Sequence, residues 1–329
     1  MAILKYLIKR VVAMIIMISA VIAIGYVMMY YTPGGFFTAS NIASALGPLA
    51  AQNPQLYQQI LRDFQERYGL NYPLWHQILL YIWHSLTFNF GYSMQNPSIK
   101  IMTTLHTAFP ISCMLAFGSI VLALIVGIPL GIIAAIKRNT WVDYTASTVA
   151  ISGQAIPAFV TAALLVLLFG VVIQGVLPVN GWGGPGHQIL PTPGQAVLPI
   201  VSLGLGTIGV VAKYVRNSLV DIMRQDHIRT AQAKGVRYWR IVMKHGVRNS
   251  LTAMITVIGP AFAFTIVGTI WVEQIFSIPG LGQVLSTAFT NDDFPLAITS
   301  IFILAALISI MNLLVDISYS LMDPRVKLE

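Results

Sequence analysis

Residues 111–136 read ISCMLAFGSIVLALIVGIPLGIIAAI, a run in which no charged side chain interrupts the apolar residues. A helix of about 20 apolar residues is long enough to cross the hydrocarbon of a bilayer. Comparable runs occur at 11–31, 145–173, 196–214, 251–271 and 296–321. Backbone groups inside lipid have no water to bind, so each run should form a helix. The sequence therefore predicts an all-α integral membrane protein with about six transmembrane helices.

The composition agrees with a membrane location for most of the chain. Of the 329 residues, 56% are hydrophobic and 9% are charged, whereas soluble domains carry about 25% charged residues. The first apolar run follows Lys5, Lys9 and Arg10. It is longer than the core of a signal peptide, and no small-residue cleavage site follows it. We therefore expect this run to remain as a signal anchor.

The positions of Lys and Arg predict the orientation of the spans. With the N-terminus inside, the cytoplasmic pieces hold three basic residues before the first span, two at 137–138, nine at 213–248 and two near the C-terminus. Of the 19 Lys and Arg, only Arg62, Arg67 and Lys100 then lie outside. The positive-inside rule predicts cytoplasmic N- and C-termini. The net charge of +8 is explained by this orientation rather than by nucleic-acid binding.

Three connections are long enough to form structure of their own within the single transmembrane domain predicted for 1–329. The first external loop, or cap, at 32–109 has a helical pattern at 52–68, and an aromatic cluster predicted to lie at the membrane interface or to pack within the cap: Trp75, Tyr81 and Trp83. The second external loop, at 174–195, is rich in proline and glycine and should be irregular. The third connection is the cytoplasmic loop at 213–250.

The cytoplasmic loop has a helical pattern that Gly235 interrupts behind the small-residue stretch 230–233, TAQA. Small side chains let another backbone approach closely, and glycine permits a sharp turn between two helices. Basic residues then recur every three or four positions and form one face, at Arg237, Arg240, Lys244 and Arg248. Two interpretations remain open at this point. The segment either lies on anionic lipid headgroups or docks as a short helix in a groove of a partner protein.

The sequence contains no recognisable motif for catalysis. It has no phosphate-binding loop of the form G-x-x-x-x-G-K-[ST], no H-E-x-x-H and no G-x-S-x-G. The six histidines are scattered without ligand spacing, and the single cysteine, Cys113, excludes an intrachain disulfide. We therefore expect neither enzyme activity nor a metal or cofactor site in this chain.

A few residues within or beside the spans are candidates for a transport pathway. Pro157 and Pro260 lie in apolar runs that also contain several glycines, and Glu273 lies at the outer end of the fifth run. Such residues either line a pathway or allow helices to kink and pack closely. Asp316 is the one carboxylate that the sequence places inside a span, where we expect it to cap a helix or pair with a basic residue.

Nine stretches occur in an order that resembles one known family. They are YGLNYPL (68–74), FGYS (90–93), GIPLG (127–131), IPAF (156–159), RTAQAKG (229–235), HGVRNS (245–250), EQIFSIPGLG (273–282), NLLVD (312–316) and DPR (323–325). They resemble the ABC importer permeases of the dipeptide and oligopeptide family. The similarity covers nearly the full length of the chain.

The resemblance implies a permease subunit of an ATP-driven importer, in a bacterial or archaeal cell (inner) membrane, that carries peptides or a related solute such as a nickel complex or an oligosaccharide. It implies a second homologous permease, two ABC ATPase subunits that bind the ATP, an external substrate-binding protein and surrounding membrane lipids as partners. It also implies that the cytoplasmic loop couples to the ATPase through eight residues: Asp226, Thr230, Ala231, Ala233, Lys234, Gly235, Val236 and Arg237. The alternative function is a stand-alone secondary transporter or channel, which usually needs charged or unwound elements near the midplane.

Overall fold

The computed structural model describes residues 2–32, 53–96, 98–183 and 189–322. Within these ranges the chain is helical, and its only strand-like feature is an isolated bridge between Tyr92 and Lys100. The helices are α1 (Ala2–Tyr30), α2 (Pro54–Tyr68), α3 (Leu74–Leu86), α4 (Ile101–Ile136), α5 (Trp141–Ala155), α6 (Ala158–Leu167), α7 (Val197–Ile222), α8 (Asp226–Ala233), α9 (Tyr238–Ile241), α10 (Arg248–Phe276), α11 (Leu281–Thr290) and α12 (Phe294–Met322).

Five helical segments of the described chain are long and apolar enough to cross a membrane: Ile8–Tyr30, Ile101–Ile136, Val197–Ile222, Ile258–Phe276 and Phe294–Ile317. The helices Trp141–Ala155 and Ala158–Val172 pass the same test as a bent pair, which gives up to six spans. The predicted all-α membrane fold is therefore confirmed. The cytoplasmic position of the two termini stays a prediction, and the terminal DPR stretch at 323–325 lies outside the described residues.

The third predicted span, 145–173, is not one straight helix. Its two parts, α5 and α6, are bent by 98° relative to each other. Pro157 has no N–H to donate, and its ring disfavours a helical conformation in the residue before it. Ile156 is accordingly extended, with φ −86° and ψ 120°. The prediction of one continuous helix in this region is therefore corrected.

Two other boundaries differ from the sequence-based expectation. Helix α4 begins at Ile101, so the end of the predicted external loop 32–109 is helical. Helix α7 continues to Ile222, and the connection to α10 therefore begins at Met223 rather than near Lys213. The polar residues at these ends extend the helices beyond their apolar runs.

The chain forms two compact units, and the first combines Met1–Pro110 with Pro279–Ser309. In this unit the hydroxyl of Tyr26 in α1 donates a hydrogen bond of 2.9 Å to Oε1 of Gln77 in α3. The hydroxyl of Tyr81, also in α3, donates to the carbonyl of Pro295 in α12 at 3.2 Å. These buried contacts fix α3 against α1 and α12.

The aromatic residues of α3 divide between two sides of the helix. Tyr81 is buried, whereas Trp75 and Trp83 are 63% and 65% exposed. The two indole rings are eight residues apart and therefore lie along one side of the helix. The exposure of the two indoles agrees with a position at the membrane interface. The burial of Tyr81 agrees with packing inside the cap.

The second unit combines Ile111–Ile278 with Ile310–Glu329, and glycines bring its helices close together. A methyl group added at Gly131 of α4 would lie 2.6 Å from the carbonyl oxygen of Ala212 in α7. Gly209 of α7 lies similarly against the carbonyl of Ala150 in α5. Small residues permit this approach at contacts between membrane helices. These glycines therefore pack the helices together.

Candidate functional sites

The sequence of helix α8 defines both of its ends. Asp226 lies in the first turn, where a carboxylate interacts favourably with the helix dipole. At the other end the N–H of Val236 donates to the carbonyl of Ala231 at 3.2 Å, and the N–H of Gly235 donates to the carbonyl of Gln232 at 2.9 Å. This is a Schellman motif, which requires a left-handed residue, and Gly235 has φ +75°. The turn that the sequence predicts at Gly235 is therefore present.

The two sides of α8 differ in exposure. Ile228 is fully buried, and Ala231, one turn later, is half-buried on the same side. On the opposite side Asp226, Thr230 and Ala233 are exposed. The residues that follow the helix are exposed at Lys234, Gly235 and Arg237 and half-buried at Val236. Of the eight predicted coupling residues, Ala231 and Val236 therefore face partly inward and the other six lie at the surface.

The basic segment after Gly235 combines charged and apolar exposed side chains. Helix α9 is short and continues into a π-helical turn at Val242–Val247. Trp239 and Met243 are 55% and 44% exposed. With Arg237, Arg240 and Lys244 they line an open hollow of about 720 Å³. The predicted basic face therefore also carries two large apolar side chains.

Pro157 and Pro260, two of the three predicted pathway residues, line one cavity of about 790 Å³ in the second unit. Its walls come from the α5–α6 bend, α7 and α10. Polar side chains are contributed by Gln154, Ser202, Thr207 and Thr265. Phe264 at its edge is 79% exposed. None of the described lining residues carries a charge.

Glu273, the third predicted pathway residue, does not line this cavity. It is fully buried in α10, and its Oε1 accepts a hydrogen bond of 2.6 Å from the hydroxyl of Ser112 in α4. Buried charged or polar groups are retained where such partners satisfy them. The structure thus brings the two prolines together and places Glu273 in a packed contact between helices.

The sequence analysis missed an ion pair between Asp143 and Arg216. Asp143 lies in the first turn of α5 and is 2% exposed, and its two oxygens accept bonds of 2.7 and 2.6 Å from Nε and Nη2 of Arg216 in α7. The N–H of Asn139 donates to the same carboxylate at 2.9 Å. Bidentate arginine–carboxylate pairs of this kind fix geometry as well as charge. The only sequence signal was an acidic residue at the start of a helix, which does not identify its partner.

Potential metal ligands are not clustered in the described part of the chain. No group of three or more His, Cys, Asp or Glu side chains there is arranged to hold a metal ion. Cys113, in α4, is a free and partly buried thiol.

Comparison with known proteins identifies the family from a continuous range that includes residues of both compact units. Residues 127–328 match the family described as "Binding-protein-dependent transport system inner membrane component". The match includes α8, the cavity with Pro157 and Pro260, and Asp143 with Arg216. The chain belongs to this family. The permease is therefore a multi-pass membrane transport subunit, and the resemblance noted in its sequence is confirmed.

Curated relatives align with nearly the whole permease. It is 34% identical to the dipeptide transport system permease protein DppB of Bacillus subtilis over 324 residues, which cover 98% of each chain. It is 32% identical to the oligopeptide transport system permease protein OppB of Salmonella typhimurium, over 98% of this chain and 99% of the relative. The permease is thus similar to these proteins over both of its compact units.

A solved structure has the same fold as most of the permease. The structure described as inward facing conformations of the MetNI methionine ABC transporter matches with a TM-score of 0.56 and 17% identity. The match covers 68% of the permease and 97% of the other chain. At this identity the likeness shows that the two chains share a fold.

Proposed function

We propose that the permease forms half of a membrane pathway for peptides in an ATP-driven importer. An external binding protein delivers the peptide, a second homologous permease completes the pathway, and two ABC ATPase subunits bind and hydrolyse ATP. The absence of a phosphate-binding loop supports the assignment of ATP to partner subunits. The names of the similar proteins, dipeptide and oligopeptide permeases, support peptides as the substrate class.

The observation that carries the pathway proposal is the uncharged cavity bounded by the α5–α6 bend, α7 and α10. Its volume of about 790 Å³ is within the range of pockets that hold small molecules. Hydroxyl and amide groups from Ser202, Thr207, Thr265 and Gln154 offer hydrogen bonds to a peptide backbone, which is common to all peptides. The lack of charged lining groups suits peptides whose side chains vary in charge, because none is strongly attracted or repelled.

The α8 segment is proposed as the contact with the ATPase. Its Schellman turn holds the chain in a fixed shape, and its exposed side presents Asp226, Thr230 and Ala233. Small side chains at the contact allow close approach to a groove. A rigid contact of this kind can transmit the closure of the ATPase to α7 and α10, which flank the loop.

Replacing Thr207 with tryptophan should reduce peptide uptake severalfold. The side chain of Thr207 lines the cavity, and an indole ring there would occupy space that a peptide needs. Uptake of a labelled peptide would be measured in cells or vesicles that contain the complete transporter.

Thr207→Val is the matched control, because it keeps the size of the side chain and removes only one hydroxyl. Membrane abundance and recovery of the ATPase should be unchanged in both variants. Wild-type uptake by Thr207→Trp at equal abundance would place the peptide pathway elsewhere.

The proposed orientation places α8 in the cytoplasm of a bacterial or archaeal cell, with the connection between α6 and α7 outside. It rests on the concentration of Lys and Arg between Lys213 and Arg248. A reporter that is active only outside the cell should be active when fused near Gly181 and silent when fused near Gln225. Activity at Gln225 would contradict the orientation.

A further inference from the structure

A small cavity lies where α4 and α7 end, next to the start of α9. Its volume is about 140 Å³. Two arginines and one tyrosine supply its polar groups: Arg138, Arg224 and Tyr238. The remaining lining residues are apolar: Ala135, Ile136, Leu219, Val220, Met223 and Val242. The cavity therefore combines two positive charges with an apolar wall.

The two arginines at this cavity lack partners in the described part of the chain. Neither Arg138 nor Arg224 forms a side-chain hydrogen bond or ion pair there. Arg216, by contrast, forms a bidentate pair with Asp143. Asp221 lies one turn before Arg224 but is not among the lining residues and makes no ion pair in the described ranges. The described part of the chain therefore offers these two guanidinium groups no direct partner.

The position of the cavity relates it to the surface of the bilayer. Helices α4 and α7 are both long and apolar enough to span a membrane, and the cavity is lined by the last turn of each. The apolar run of α4 ends at Ile136, so this wall lies at the level of the lipid headgroups, whereas the end of α7 reaches just past that level. Long basic side chains at this level place their charged ends among the headgroups.

We propose that this cavity binds the phosphate headgroup of an anionic phospholipid. Guanidinium groups bind phosphate oxygens in paired, charge-assisted hydrogen bonds, and the phenol of Tyr238 can donate a further bond. The apolar wall then contacts the glycerol and upper acyl chains. Basic pockets between membrane helices are a general means of binding anionic lipids.

The proposal does not depend on the identity of the transported substrate or on the role of α8. It is tested by native mass spectrometry of the purified full-length permease with its partner subunits, titrated with phosphatidylglycerol or phosphatidylcholine. The wild-type protein should retain phosphatidylglycerol in preference to phosphatidylcholine. The Arg138→Gln/Arg224→Gln variant should bind phosphatidylglycerol about thirtyfold more weakly, since the contributions of two basic side chains to anionic-lipid binding multiply.

The matched control is Lys137→Gln/Lys213→Gln, which removes two exposed charges from the same regions but none from the cavity lining. This control should keep its preference for phosphatidylglycerol. An equal loss of phosphatidylglycerol binding in the control would mean that the lipid is held by diffuse attraction to the basic surface. That result would overturn the proposal. Unchanged lipid binding with loss of ATPase recovery in the arginine variant would also overturn it, by assigning the cavity to the protein partner. Displacement of the lipid by inorganic phosphate alone would assign the cavity to a free anion instead.

Discussion

Replacing Ala233 with arginine should abolish peptide uptake and the recovery of the ATPase with the permease, while membrane insertion stays normal. Ala233 lies on the exposed side of α8, so the new side chain should disturb no packing among the residues that the structure describes. In a tight groove, overpacking costs about 1–3 kcal/mol, and an unpaired buried charge costs more. Uptake and ATPase co-purification would be compared with those of the wild type at equal membrane abundance.

The alternative interpretation, in which the loop lies on anionic lipid, gives the opposite expectation. An added arginine would be tolerated or favourable at such a surface. Asn249→Arg, at an exposed position at the start of α10, adds the same charge outside α8 and should leave uptake unchanged. Normal uptake with normal subunit recovery in Ala233→Arg would remove α8 from the coupling role.

Gly235 allows the effect of the turn to be separated from the effect of side-chain size. A residue other than glycine at φ +75° loses about 1–2 kcal/mol, whereas asparagine adopts this conformation more readily. A Cβ atom added at this position would have no other atom of the described chain within 4 Å. If the turn alone matters, Gly235→Asn should keep ATPase recovery and Gly235→Leu should lose it. Loss in both variants would indicate a close contact with the ATPase at this residue.

Replacing Arg216 with leucine should lower the stability of the permease by about 3 kcal/mol, because breaking a buried ion pair leaves one charge without compensation. The side chain of Asp143 is 2% exposed and that of Arg216 is 25% exposed. Because the pair is only partly buried, the expected loss lies at the lower end of the usual range for buried ion pairs. The expected result is a reduced melting temperature in detergent and reduced abundance in the membrane.

Arg229→Leu provides the matched control, because it breaks the exposed contact of 3.5 Å between Arg229 and Asp226. Exposed pairs contribute little to stability, so the melting temperature should not change. Adding Asp143→Asn to Arg216→Leu should restore part of the lost stability by removing the unpaired charge. An unchanged melting temperature in Arg216→Leu would show that water stabilises the charge of the Asp143 carboxylate when the arginine is absent.

The spans could be predicted from sequence because lipid imposes a strong and local requirement. An apolar run such as 111–136 must satisfy its own backbone hydrogen bonds, and only a helix does so within one segment. The turn at Gly235 was predictable for a similar reason, since glycine adopts left-handed conformations without steric strain. In both cases the sequence of one short segment contains the physical cause of the structure.

The bend and the ion pair could not be predicted in the same way. Pro157 breaks its span, yet Pro260 lies inside the continuous helix α10, so proline alone does not determine where a helix ends. Asp143 and Arg216 are 73 residues apart in sequence, and their contact depends on how α5 and α7 pack. Sequence reasoning selected Asp316 as the carboxylate of interest, because it could not place Asp143 beside a distant arginine.

The bend at Pro157 also has a consequence for where water can reach. A break in a helix at membrane depth leaves backbone carbonyls without intrahelical donors, whether the pair α5–α6 crosses the bilayer or turns back within it. Lipid cannot satisfy these groups, and irregular backbone at this depth is tolerated only when it is buried in protein or lines a hydrated cavity. Ile156 and Pro157 line the cavity of about 790 Å³. We therefore expect water in this cavity to bind the freed carbonyls, so that this part of the fold would be a wet surface inside the membrane.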